Sequence, residues 1–254
     1  MSRRDRLLGP PRVRRRLAAL ARAPINFDPG DLQHASAATG WKIDDLCQDL
    51  GSEPPGDPVP GGTWELARAL LRGYAFADPS IVRAYYDPDV PLMGRTLLLK
   101  LRALGLLHVY AGVRVSEVRD ATQSHDGRDV RLWGWSYRTL QGHVEEGQMD
   151  WEVWKWRDTG VVEFRVHAVW RRAAVPNPVV RVGVAVLRAH ERALFLASTA
   201  RRMRVFTALA ARADDSPAVV REAARQLSAR GGDDVDITAE ELEEALREVR
   251  APST

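Results

Sequence analysis

The chain has 254 residues, of which 45% are hydrophobic and 28% charged, with 37 basic and 34 acidic residues and a net charge of +3. This balance is typical of a globular protein and excludes a chain that is disordered throughout. The interspersed charges give no strong indication of a nucleic-acid partner. Cys47 is the single cysteine, which excludes an internal disulfide and a cysteine-based metal cluster.

Targeting, membrane and cofactor signals are missing from the sequence. No run of eighteen apolar residues predicts a membrane-spanning helix, and the arginine-rich N-terminus lacks the apolar stretch of a secretory signal. The glycine motifs of nucleotide-binding loops are absent, and the six histidines lack the spacing of a metal site. The preference for arginine and alanine indicates a GC-rich genome. We therefore expect a soluble, cytoplasmic bacterial protein with no metal and no cofactor.

Residues 1–23 are predicted to form one basic amphipathic helix, in which leucines and a valine interleave with arginines. We expect its apolar side chains to pack on the rest of the protein. The alternative is a helix that lies on an anionic membrane surface or touches nucleic acid. Residues 24–62 are rich in Pro, Gly and Asp, which break helices and strands. They are predicted to form a linker or surface loop, with a short helix near Ile43–Leu50.

From residue 63 to about residue 171 the pattern is largely that of strands. Val161–Arg171 alternates apolar and polar residues with a period of two, and Met149–Trp156 is predicted to pair with it as a hairpin. Two further strands are predicted at Asp129–Tyr137 and Val109–Val118. Pro79–Tyr86 is predicted as a short helix, because Asp78 before it is a good N-cap. Leu92–Leu107 fits both a strand and a helix.

After Asn177 the hydrophobic period becomes helical and predicts one long amphipathic helix, or two nearly continuous ones. Ser216–Pro217 predicts the start of another helix, which ends at Gly231. Thr238 and Glu241 have the spacing of a capping box, so the last helix is predicted to begin there. Its acidic residues complement the basic N-terminal segment, but we expect both faces to be solvated.

These elements predict an α+β fold, in which a curved antiparallel sheet is covered by a long C-terminal helix, with helical N- and C-terminal extensions. The expected division is a basic helix and linker at 1–62, an α+β core domain at 63–213 and a helical extension at 214–254. A curved sheet and a helix can enclose a pocket between them. This pocket is the basis for a ligand-binding hypothesis.

The densest polar group of residues lies between two predicted strands. This turn cluster consists of Tyr137, Thr139, His143 and Glu145. A tyrosine, a histidine and a carboxylate this close can form a proton-transfer set, with His143 as the acid or base and Glu145 orienting it. The alternative is a hydrogen-bonded loop in which His143 and Glu145 tie the turn to the sheet.

Two other sets of residues are candidates for ligand binding. Glu163, Arg165 and His167 share one face of a predicted strand, which is a charged binding surface if it lines a cavity. If it faces water, as we expect, these residues form ordinary cross-strand pairs. Trp133 and Trp135 can form the wall of a site for a flat apolar ligand, or they can be core residues.

The string Trp133–Gly147, WGWSYRTLQGHVEEG, resembles the signature of the domain of unknown function 1990 family. The resemblance covers roughly residues 63–207. It implies a fold similar to the helix-grip, lipid- or polyketide-binding proteins, whereas the family name assigns no activity. Trp170 departs from the pattern, which has a small polar residue there, so we assign this position no role. Three other segments carry the resemblance: Glu152–Trp156, Glu163–His167 and Asn177–Arg181.

The leading hypothesis is a protein that binds an apolar or amphipathic small molecule between sheet and helix. The turn cluster would supply polar anchors, and Trp133 or Trp135 a wall. One alternative is an enzyme of cyclase or hydrolase type with His143 as general base. Another is a scaffold whose residues 1–23 contact a membrane or nucleic acid. The oligomeric state is open.

Overall fold

The computed structural model describes the chain in five stretches: 2–103, 107–173, 178–210, 216–229 and 231–250. Within them, seven antiparallel strands form one open, curved sheet, and six α-helices pack around it. The predicted α+β fold, an antiparallel sheet covered by a long C-terminal helix, is confirmed.

The strands form a meander to which one earlier strand is added. In chain order they are β1 (Lys42–Ser52), β2 (Val82–Tyr85), β3 (Thr96–Ala103), β4 (Leu107–His125), β5 (Arg128–Thr139), β6 (Glu145–Trp156) and β7 (Val161–Arg172). Their order across the sheet is β1-β7-β6-β5-β4-β3-β2. Each strand from β2 to β6 therefore pairs with the next, and β1 pairs with β7, the last.

The helices lie before, within and after the meander. They are α1 (Arg3–Leu8), α2 (Pro11–Leu20), α3 (Thr63–Arg72), α4 (Pro178–Ala210), α5 (Pro217–Leu227) and α6 (Asp234–Arg250). We call the face of the sheet toward α3 and α4 the inner face, and the opposite face the outer face.

The strands predicted from alternation are confirmed. The hairpin of β6 and β7 has Trp151 opposite Val166, and β5 places Trp135 opposite Trp151 on the other side. Because neighbouring side chains point to opposite faces, these apolar residues all lie on the inner face. The turn between β4 and β5 has positive φ at Asp126 and Gly127, as a two-residue hairpin turn requires.

The prediction for residues 24–62 is wrong at Lys42–Ser52, which is the edge strand β1 and contains no helix. Its apolar residues have helical spacing, and only Leu50 is fully buried. The strand forms because the free edge of β7 offers a complete set of hydrogen-bonding partners, which outweighs local preference. One strand of the sheet thus lies before residue 63, and the division at residues 62 and 213 stays a prediction.

Two further segments differ from the predictions. Thr63–Arg72 is the helix α3, not a strand, and it buries Trp64, Leu66 and Leu70 on the inner face. Val82–Tyr85 is the strand β2 rather than a helix, because it pairs with β3. The carboxylate of Asp78 accepts a hydrogen bond from Ser80 N at 2.9 Å, so the residue caps a turn before the strand.

The N-terminal segment is two helices, separated at Gly9, where φ is +71°. The expected packing of its apolar side chains is confirmed, because Val13 and Leu17 are buried against Tyr85 and Leu98 on the outer face. Membrane or nucleic-acid contact through residues 1–23 stays a prediction. Among the residues that the structure describes, no helix is long and apolar enough to span a membrane.

The C-terminal helices include the long helix predicted after Asn177, which is the single helix α4. The last helix begins at Asp234, so the predicted capping box at Thr238 is wrong. The Thr238 hydroxyl instead donates to the Asp234 carbonyl within the first turns of α6. The acidic face of α6 is not simply solvated, because Arg6 contacts Glu240.

The centre of the inner face is filled by protein. Side chains of α3 and the segment after it pack there, with Leu66, Leu70 and Phe76 completely buried. The helix α4 covers the neighbouring part of this face near β1 and β7, where Phe195 meets the Trp151 ring edge-on at 6.0 Å. A ligand on this face therefore needs room made by the movement of side chains toward α4.

Candidate functional site

Five aromatic side chains gather on the inner face beside α4, and we call them the aromatic cluster: Tyr74, Phe76, Trp135, Tyr137 and Trp151. Alternation along β5 and β6 directs three of them inward. The other two follow α3, where the chain turns sharply and Tyr74 has a φ of +61°. Neighbouring ring centroids in the cluster lie between 4.4 and 6.5 Å apart.

The polar atoms of the aromatic cluster are unevenly satisfied. Trp135 Nε1 donates to the Leu71 carbonyl at 3.2 Å, and the Tyr137 hydroxyl donates to the weak acceptor Met149 Sδ at 3.2 Å. The Tyr74 hydroxyl and Trp151 Nε1 are buried with no hydrogen-bond partner among the described residues. Each such group costs about 1–3 kcal/mol of stability, so an external partner for them would be favourable.

Both tyrosines of the cluster are held neutral. Burial raises the pKa of Tyr74 well above its ordinary value, and the neighbouring Tyr137 raises it further. Burial also raises the pKa of Tyr137, against the opposing effect of the Arg192 guanidinium. At neutral pH both hydroxyls therefore keep their protons and can donate hydrogen bonds.

A charged group borders the aromatic cluster, and we call it the rim: Asp44, Glu145, Trp170 and Arg192. Arg192 Nε bonds to Asp44 Oδ2, and its Nη1 lies 3.4 Å from Glu145 Oε2. Its guanidinium carbon stacks 4.5 Å from the centroid of the Trp170 ring. One cation thus faces two carboxylates, so the rim carries no surplus positive charge. Trp170 was assigned no role from the sequence, yet it supports Arg192.

The turn cluster is held together largely through backbone groups. Thr139 Oγ1 donates to Asn26 Oδ1 at 2.6 Å and accepts from Gly147 N at 2.9 Å. His143 Nδ1 accepts from the Glu145 backbone amide at 2.9 Å, whereas the Glu145 carboxylate points to Arg192. The structure therefore brings Tyr137 and Glu145 to the aromatic cluster and its rim, and places Thr139 and His143 in the adjoining turn.

The second set of predicted residues lies elsewhere. Glu163, Arg165 and His167 are on the outer face of β7, on the other side of the sheet from the aromatic cluster. Arg165 bonds to Glu163 at 2.9 Å and its guanidinium stacks 4.0 Å above the Trp154 ring. His167 is half-exposed and pairs with Asp45 at 2.7 Å.

Trp133 and Trp135, the two tryptophans predicted to form the wall of a ligand site, both lie on the inner face. Trp135 belongs to the aromatic cluster, and Trp133 is buried in the same hydrophobic core. Sequence reasoning missed Tyr74, Asp44 and Arg192. An Arg or Tyr between apolar residues carries no distinct signal, and these three are joined only by the tertiary fold.

The comparisons with known proteins concern the fold and the family. The chain matches the family described as "Domain of unknown function (DUF1990)" over residues 30–204. A comparison with curated proteins finds no match. Among solved structures the chain is similar to Ara h 8.0201, with 11% identity, 66% of this chain and 99% of that chain covered, and a TM-score of 0.38.

A second similar structure is a point mutant of norcoclaurine synthase from Thalictrum flavum in complex with a transition-state analogue. It has 10% identity, with 63% of this chain and 94% of that chain covered, and a TM-score of 0.36. At these identities and TM-scores, neither likeness supports an inference about function.

Proposed function

The chain belongs to the domain of unknown function 1990 family, whose name assigns no activity, and we propose that it binds an apolar small molecule carrying an acceptor oxygen. The family match includes most of the region expected from the resemblance and begins earlier, at residue 30. The observation that carries the proposal is the pair of buried donors without partners, the Tyr74 hydroxyl and Trp151 Nε1.

The kind of ligand follows from the donors and the charges. Trp151 Nε1 can only donate, whereas the Tyr74 and Tyr137 phenols keep their protons at neutral pH and can donate as well as accept. Arg192 is already balanced by Asp44 and Glu145. A neutral oxygen, such as that of a ketone or a hydroxyl, therefore suits the site better than a carboxylate, and the surrounding rings suit a flat apolar body.

The rim is the proposed entry to the aromatic cluster for such a ligand. The side chains of Arg192 and Glu145 are 18% and 17% exposed, so the pair closes the site without being sealed inside the protein. Opening this pair has a cost that ligand binding must offset, because the two side chains are more than four-fifths buried. Movement of the Arg192 side chain away from Trp170 would open a way to the aromatic cluster while the backbone stays in place.

The experiment measures binding of prodan, a neutral naphthyl ketone whose fluorescence shifts to the blue in an apolar site. Tyr74→Phe and Tyr137→Phe each remove one donor and keep the ring, so each should weaken prodan binding about fivefold to tenfold, the loss of one hydrogen bond. Tyr110→Phe is the matched control, because its ring lies on the outer face against Arg16.

The proposal is overturned if prodan does not bind saturably, or if Tyr110→Phe weakens binding as much as the two cluster variants do. Native mass spectrometry of protein purified from its own host adds an independent observation, since a retained neutral ligand would identify the natural occupant. No contact among the described residues favours the enzymatic alternative over binding.

A further inference from the structure

A cavity lies at the edge of the sheet where β2 and β3 meet the start of α6. It has a volume of about 330 Å³ and is lined by charged side chains and a Gly231–Gly232 turn. We call it the basic cleft. Its charged lining residues are Arg83, Lys100, Arg102, Asp233 and Asp234.

Strand pairing brings the three cations together. Arg83 lies directly opposite Lys100 in the pairing of β2 with β3, and Arg102 follows two residues later on the same face. Like charges directly opposite each other in a sheet are destabilising. Such an arrangement is therefore costly unless a negative charge lies between them.

The protein's own carboxylates only partly compensate this charge. Arg102 lies 3.5 Å from Asp234, whereas neither Arg83 nor Lys100 forms an ion pair within the part of the chain that the structure describes. The guanidinium of Arg83 stacks 5.0 Å from the Tyr85 ring instead. Asp233 also lines the cleft, and the more distant Glu241 is near enough to feel the charge of Arg83. Three cations thus face two carboxylates in the cleft itself.

The pKa shifts of two neighbouring groups agree with a positive charge that is only partly compensated. Burial lowers the pKa of Lys100, and the charges of Arg102 and Arg83 lower it further, against the opposing charge of Asp234. The pKa of His108, which lies opposite Arg102 in β4, is lowered by burial and then by Lys100 and Arg102. These groups repel one another across the cleft, and a bound anion would relieve the repulsion.

The helix α6 adds to the positive electrostatic potential of the basic cleft. It has 17 residues and begins at Asp234, in the wall of the cleft. The start of a helix carries a partial positive charge, which favours an anion nearby, and Asp234 and Asp236 in the first turn offset part of it.

We propose that the basic cleft binds the phosphate group of a small molecule. A phosphate dianion offers enough oxygens for two guanidinium groups and one ammonium group at once, and arginine matches its geometry with paired hydrogen bonds. The volume leaves room for a small organic group beside the phosphate. None of the lining residues belongs to the aromatic cluster or its rim, so this site is independent of the ligand site proposed above.

The test is isothermal titration calorimetry of the full chain with inorganic phosphate and with glycerol 3-phosphate. We expect saturable binding, weakened about tenfold by Arg83→Gln and by Lys100→Gln, as for the loss of one charge-assisted hydrogen bond. Arg201→Gln is the matched control, because it removes the same charge from an exposed position on α4. It should leave the affinity within about twofold.

A second readout uses the wild-type protein, so that it does not depend on how well a variant folds. A phosphate dianion in the cleft favours the charged form of a nearby imidazole. The pKa of His108, followed by NMR, should therefore rise on addition of phosphate, while the signals of the distant His34 keep their titration curve.

Three results would overturn the proposal. The first is the absence of saturable binding at phosphate concentrations up to about 10 mM, because a dissociation constant above this value is too weak for a specific site. The second is an equal loss of affinity in Arg201→Gln, since binding would then be a general effect of surface charge. The third is binding only to phosphatidylcholine vesicles that contain phosphatidic acid, with no binding of either soluble phosphate. If that binding depends on Arg83, the cleft would be assigned to a lipid headgroup.

Discussion

The hydroxyl of Tyr74 is the most direct test of the aromatic cluster, because it is buried without a hydrogen-bond partner among the described residues. Tyr74→Phe removes this oxygen and keeps the ring. Since an unsatisfied buried donor costs about 1–3 kcal/mol, we expect the ligand-free variant to be more stable than the wild type by about 1 kcal/mol. For a chain of this size the corresponding rise in Tm is about 2–4 °C.

Tyr86→Phe is the matched control, because Tyr86 is equally buried but its hydroxyl donates to the Gly73 carbonyl at 3.0 Å. Losing that bond should lower the free energy of unfolding by about 1 kcal/mol. The two substitutions delete the same atom and should change stability in opposite directions. Urea unfolding without added ligand, followed by circular dichroism, measures both. A loss of stability in Tyr74→Phe similar to that in Tyr86→Phe would refute the reasoning, because the Tyr74 hydroxyl would then have a partner.

Three other substitutions test packing and charge. Gly112→Ala would put a Cβ 2.5 Å from Leu20 Cδ2. The Leu20 side chain must therefore shift, so the C-terminal end of α2 should become more sensitive to limited proteolysis, whereas an unchanged digestion pattern would contradict this. Lys155→Met leaves the buried Glu53 carboxylate without its cation, and should lower the free energy of unfolding by about 3–5 kcal/mol in urea. Burial raises the pKa of Glu241 from 4.5 to about 7, so the folded state favours its protonated form, and stability falls as the pH rises through this range. Glu241→Gln should flatten that part of the curve, and an equally steep curve would disprove the assignment.

The predictability of each strand depended on whether its own side chains face a core. In β7, Phe164, Val166 and Ala168 are buried and alternate with polar residues, so the period of two is visible in the sequence. In β1 only Leu50 is buried, and the apolar spacing is that of a helix. β1 forms a strand because β7 has an open edge, and β7 lies far from β1 in the sequence, so local residues do not reveal it.

The candidate site was partly visible in the sequence for the same reason. Tyr137 and Glu145 stand within one short string rich in polar residues, so their proximity was expected. Tyr74 and Arg192 come from a turn after α3 and from α4, and nothing in their local sequence indicates that they meet Tyr137. The basic cleft was missed because Arg83 and Lys100 become neighbours only through the pairing of β2, which local preference favoured as a helix.

The addition of β1 to the far edge of the sheet has a consequence for the order in which the protein folds. Lys42 pairs with Trp170, so β1, the first strand to be synthesised, can pair only after β7, the last strand, has been made. During translation the meander can grow hairpin by hairpin, while β1 remains an exposed segment without a partner. Contacts between such distant parts of a chain slow folding, and the waiting strand is open to pairing with other chains. Slow completion of the sheet is therefore expected, because β1 cannot pair until β7 has left the ribosome.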